Sequence, residues 1–148
     1  MRARGAWLTD RRGDMVWNAL IIVTVLLPLA GLALDVPRYF LLRSRLQIAA
    51  DAGAEAAARA VDVRHYKNTG ETRLDPGRFA GEAAWAFDTA VTGLRAKGYT
   101  ANLDGVDPDE ATDAVSTRAS GTIRLFYNLL PPVTVSVTAT SWYRMIQR

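Results

Sequence analysis

The chain has 148 residues, a formal net charge of +3 and no cysteine. That length holds one globular unit rather than two, and the missing thiols exclude a disulfide framework, thiol catalysis and cysteine-ligated metal. The positive charge does not point to nucleic acid. Arg2, Arg4, Arg11 and Arg12 against Asp10 and Asp14 place most of the excess in the first 14 residues, and the long remainder is nearly neutral with no basic stripe.

Residues 1–14 form a basic leader. Met15 to Leu34 then carries no charge and has only Asn18 and Thr24 as polar interruptions. As a helix of roughly 30 Å it matches the hydrocarbon core of a bilayer. Pro28 removes one backbone hydrogen bond, which kinks a spanning helix without ending it. The stronger basic flank lies on the N-terminal side, which favours an N-terminus in the cytoplasm and a body outside. A cleaved secretory signal, cut before Leu34, is the competing reading.

Residues 35–62 continue as a helical stalk rich in alanine. Tyr39, Leu42, Leu46, Ala49, Ala50, Gly53, Ala57 and Ala60 recur at spacings of three and four, so the helix is predicted to run from Met15 to Val61. Small residues four apart, Ala49–Gly53–Ala57, let another backbone approach closely. Either the stripe covers the protein's own sheet, or it packs against another subunit. Asp35 and Arg38, three apart beyond the span, can pair with each other or across a subunit boundary.

Residues 63–148 form the head. His65–Leu74 reads as a loop. Asp75-Pro76 is an N-cap followed by a first-turn proline, which predicts a second helix over 76–97 closed by Gly98. The period then changes to two. Tyr99–Val106 reads as a strand, Asp107–Asp113 as an acidic turn, and Ala114–Ala119 with Gly121–Leu129 as two strands or one interrupted strand. Val133 to Thr140 is the clearest strand and runs on into Trp142, Tyr143, Met145 and Ile146. The fold class is α+β: a long N-terminal transmembrane and stalk helix, a second helix, then a small antiparallel sheet.

The stretch from Arg11 to Ala60 resembles the N-terminal region of TadE/TadG-like proteins of the tight-adherence (Flp, type IVb-like) pilus machinery. The similarity lies in Arg11-Arg12-Gly13 before the apolar run and Pro28 within it. It continues in Gly31, Asp35, Arg38 and Tyr39 at the exit, and in Arg45-Leu46-Gln47 with Ala49-Ala50-Asp51-Ala52 beyond. The resemblance implies a pilin-like fold and a membrane-anchored pseudopilin or minor pilin. Its expected partners are the lipid bilayer, other pilin or pseudopilin subunits and the pilus assembly machine. It also implies cutting by a prepilin peptidase between Gly13 and Asp14. Asn18 departs from that pattern, standing where processed members carry Glu; this points toward the TadG-like branch, which keeps its N-terminus.

Little else suggests chemistry. His65 is the only histidine, and no Gly-x-Ser-x-Gly elbow accompanies it. Asp104, Asp107 and Asp109 are weak calcium candidates, since carboxylates crowd a short segment but miss the calcium-loop spacing. Trp142 and Tyr143 are candidates for a contact surface. No cofactor is expected, and the chain reads as a non-enzymatic, single-pass protein of the inner membrane that works by helix packing through Asn18, Asp35, Arg38, Ala49, Gly53 and Ala57. The alternatives are the repeated shaft subunit of a filament and a surface-binding module acting alone.

Overall fold

The computed structural model describes residues 11–125 and 131–143. The strand expected to reach Leu129, and the pairing expected of Met145 and Ile146, lie partly or wholly outside those residues. A helix runs from Arg11 to Arg59 in three parts: α1 (Arg11–Ile21), a single π-helical stretch (Ile22–Leu26) and α2 (Leu27–Arg59). Pro28 explains the middle part. It has no N–H to donate one turn back, and its ring crowds the carbonyl there. The chain widens the turn ahead of it, so that the Leu27 N–H donates to the Ile22 carbonyl, five residues back. Pro37 lies inside α2 without ending it.

Over its first half this helix is bare. An 18-residue window of the helix starting at Met15 has a mean hydropathy of 2.4, and only 11% of it is buried. It is long and apolar enough to cross a membrane, which fits a single-pass protein. From Leu42 onward one face is covered: Leu42, Leu46, Ala49, Ala50, Gly53, Ala54, Ala57 and Ala58 are buried. Full burial of each leucine contributes about 1.5–3 kcal/mol.

Two short corrections concern the chain after α2. Residues expected as a loop begin with a helix, α3 (Val63–Thr69), because the Asp62 carboxylate accepts from the N–H groups of Arg64 and His65, both at 2.9 Å, and Gly70 closes it at φ 78°. The next helix, α4, spans Phe79–Arg95 and starts three residues later than expected. The Asp75 carboxylate accepts from the Gly77 N–H at 2.9 Å, which makes Asp75-Pro76 the opening of a turn rather than a cap. Ala83, Phe87, Val91 and Leu94 form the buried stripe of α4.

Three antiparallel strands follow in sequence order: β1 (Thr100–Asp109), β2 (Ala114–Ile123) and β3 (Val133–Trp142). A bulge between Leu103 and Gly105 shifts the β1–β2 register. β2 is unbroken, in contrast to the interruption expected near Ser120. Gly121 is needed there for closeness: a Cβ would lie 2.7 Å from the Thr100 carbonyl oxygen and against Leu42 and Leu46. The α+β class holds. α2 lies across the sheet and against α4, so the stalk is the centre of the head's core.

Candidate functional site

The small-residue stripe is where the long helix meets the rest of the head. A Cβ on Gly53 would sit 3.3 Å from the Ala83 carbonyl oxygen of α4, 3.7 Å from the Phe87 Cβ and 3.8 Å from the Thr117 Cγ2 of β2. Glycine and alanine are therefore what lets α2 and α4 approach this closely. The buried Thr117 hydroxyl donates to the Ala50 carbonyl at 2.8 Å, tying β2 to the same turn. Of the two expectations for the stripe, the structure matches the first. Ala49 and Ala57 have no exposed surface and Gly53 is buried, all beneath the molecule's own α4 and sheet. These positions offer nothing to a neighbouring subunit in this conformation.

Asp35 and Arg38 mark the exit from the span. Arg38 Nη1 lies 3.8 Å from Asp35 Oδ1; the carboxylate is buried and the guanidinium largely exposed. Pro28, Leu32, Val36, Tyr39 and Leu125 share with Asp35 an apolar groove of about 430 Å³. A carboxylate held in such a groove needs a partner to offset its desolvation, and Arg38 lies within ion-pair reach. Asn18 is exposed on α1, and Gly13 and Asp14 lie within that helix.

The calcium candidates do not gather. Asp104, Asp107 and Asp109 lie on β1, not in the turn expected for the latter two, and each carboxylate has a separate partner. Asp104 accepts from the Ser120 hydroxyl at 2.9 Å, Asp107 pairs with Arg118 at 2.6 Å, and Asp109 accepts from the Ala111 N–H and the Thr112 hydroxyl. Those last two bonds lower the Asp109 pKa below 3.8, the Thr112 hydroxyl first. Among the described residues no group of three or more histidines and carboxylates could hold a metal ion. His65 Nε2 lies 3.9 Å from Glu71 Oε2. Trp142 is exposed, whereas Tyr143 is buried with its hydroxyl pKa raised, burial first and Asp113 second.

What distinguishes the molecule is thus one long helix, widened at Ile22–Leu26, bare at one end and embedded at the other. Residues 19–60 match the family model Tad, Flp pilus-assembly TadE/G-like. The match begins inside the apolar span and ends one residue past α2, so the TadE/G-like segment is this helix. It implies involvement in Flp pilus assembly, with the membrane and the pilus machinery as the partners it suggests and a structural role. No curated protein and no solved structure matches the chain. The basic residues brought to the exit of the span from just beyond α4 and β2 were missed in the sequence, because Lys97 and Arg124 stand far from Arg38 along the chain.

Proposed function

We propose that the chain is a structural pseudopilin or minor pilin of a Flp-type pilus, anchored by Met15–Leu34 with its N-terminus in the cytoplasm and its head outside. The observation that carries this reading is the continuity of the helix from span to core. A rigid connection of this kind passes a pull on the span directly to the head, which suits a subunit stored in a membrane and drawn into an assembly. Lateral packing then falls to surfaces the head leaves open: the exposed apolar side chains of the span, with Leu41 and Ile48 beyond it.

Asn18 offers hydrogen bonds but no charge, which favours the unprocessed, TadG-like role over that of a shaft subunit cut between Gly13 and Asp14. The test is the intact mass and N-terminal sequence of the protein from the native membrane and from sheared surface fibres. A start at Met1, confined to the membrane, supports the assembly factor. A start at Asp14 in the fibre fraction replaces it with a processed pilin, and a start at Leu34 overturns both.

A further inference from the structure

The head is layered by charge along the helix axis. β2 runs antiparallel to α2, with Gly121 against Leu42 and Leu46, Thr117 against Ala50 and Gly53, and Val115 in the cluster that holds Ala57. The membrane-proximal end of the head is therefore made of Lys97–Thr100, Thr122–Arg124 and Pro132, level with the first turns of α2 beyond the span. Arg38, Lys97 and Arg124 line one groove of about 540 Å³ there, and Lys97 and Arg45 line a second of about 230 Å³. Arg43 belongs to the same turns of α2. All five cations are exposed, and of them only Arg38 makes an ion pair among the described residues.

Farther from the span most cations are neutralised, Arg64 and Lys67 of α3 being exceptions among the described residues. Arg59, Arg73, Arg78 and Arg118 are each paired with a carboxylate. Glu71, Glu110 and Asp113 share a groove with His65 and Arg73 at the distal end, and α2 has no acid between Asp35 and Asp51. Tyr39 and Phe40 meet edge to face at 5.8 Å beside the proximal cations, and Tyr99 lines the groove of Arg38. Aromatic rings at this level are characteristic of a headgroup plane.

We propose that Arg38, Arg43, Arg45, Lys97 and Arg124 form a collar that seats the head on anionic phospholipid headgroups of the leaflet from which α2 emerges. The inference rests on the membrane-spanning reading of Met15–Leu34. That reading also decides the occupant, because the apolar run ends immediately below the collar and so brings a headgroup plane to these cations. Clustered juxtamembrane cations attract an anionic surface by about fivefold each. The effect fades over roughly a Debye length of about 8 Å at physiological salt.

The full chain is reconstituted in vesicles of phosphatidylcholine with phosphatidylglycerol, and the motionally restricted fraction of each spin-labelled lipid is measured. The wild type is compared with the K97Q/R124Q double variant. Both substituted positions are exposed and make no ion pair among the described residues, and circular dichroism checks that the fold is unchanged. The arginines ahead of the span are the same in both proteins, so the difference between them reads the collar. The expected result is a severalfold preference for the anionic lipid that falls at least twofold in the double variant and weakens in high salt. Equal selectivity of the two proteins overturns the collar and leaves the span intact; that is also the outcome if these cations serve an acidic protein partner. Absence of any restricted lipid overturns the span and the collar together.

Discussion

The two halves of the long helix meet their surroundings with opposite chemistry. Between Met15 and Leu34 the side chains are large, apolar and exposed on nearly every side, as suits a helix whose solvent is lipid. Between Leu42 and Ala58 the buried face narrows to leucine, alanine and glycine, because α4 and β2 press on it from two directions. One half gains from bulk and the other from its absence. The same type of substitution should therefore have opposite consequences on the two sides of the membrane surface.

The largest effect is expected at Phe87, which α4 drives into the stripe. Phe87→Ala should cost the head about 3–5 kcal/mol through lost burial and a cavity, measured by denaturant unfolding of the whole protein in detergent. Gly53→Leu comes next. The side chain has no room at 3.3 Å from a backbone oxygen, and overpacking of this kind costs about 1–3 kcal/mol, whereas Ala30→Leu at an exposed position of the spanning half should leave head unfolding unchanged. If Gly53→Leu unfolds like the wild type, α2 and α4 do not pack as described. Thr117→Val removes the bond to Ala50 and should cost about 1 kcal/mol in the same assay.

Smaller still is the response of α3 to acid. Asp62 has its pKa lowered from 3.8, chiefly by the His65 N–H. A carboxylate depressed in the folded state contributes stability above its unfolded value and loses it as the pH falls through the lowered one. Amide exchange at Arg64 and His65 should accordingly speed up below pH 3.8 relative to the rest of α3, and Asp62→Ala should abolish that pH dependence. Least affected in stability is Ile48→Gln on the outward face of α2, expected within about 0.5 kcal/mol of wild type. Its loss of co-purification with other pilus subunits, with unfolding unchanged, would support packing through the exposed face; normal co-purification would remove Ile48 from the proposed packing surface.

Much of this architecture is legible in the sequence, and for identifiable reasons. The span and stripe announce themselves through uninterrupted periodicity, and Val133–Ala139 through strict alternation. Where the reading slipped, two signals competed. Asp75-Pro76 carries the marks of a helix start, but its carboxylate is taken by Gly77 and the helix waits until Phe79. The α3 helix was marked by Asp62 and Gly70, a cap and a left-handed stop, yet its polar composition suggested a loop. Asp107 and Asp109 were assigned to a turn because they are charged and flank Pro108, although a strand edge facing water tolerates both. Of the site, the stripe was visible and its owner was not, since a small-residue face has the same spacing whichever backbone lies against it. Of the proximal cations, Arg38, Arg43 and Arg45 follow the span in the sequence, but Lys97 and Arg124 were not legible, because only folding brings them to the level of Arg38.

The π-helical stretch ahead of Pro28 bears on how the span presents itself to a neighbour. One extra residue in a turn rotates everything beyond it by roughly 100° relative to a regular helix. A helical wheel drawn straight through Met15–Leu34 therefore assigns Asn18 and Gly31 to the wrong relative sectors. Any helix lying alongside must either bend with that angular offset or engage only one side of it. The stretch at Ile22–Leu26 acts as a notch that divides the apolar span into two separately aimed surfaces.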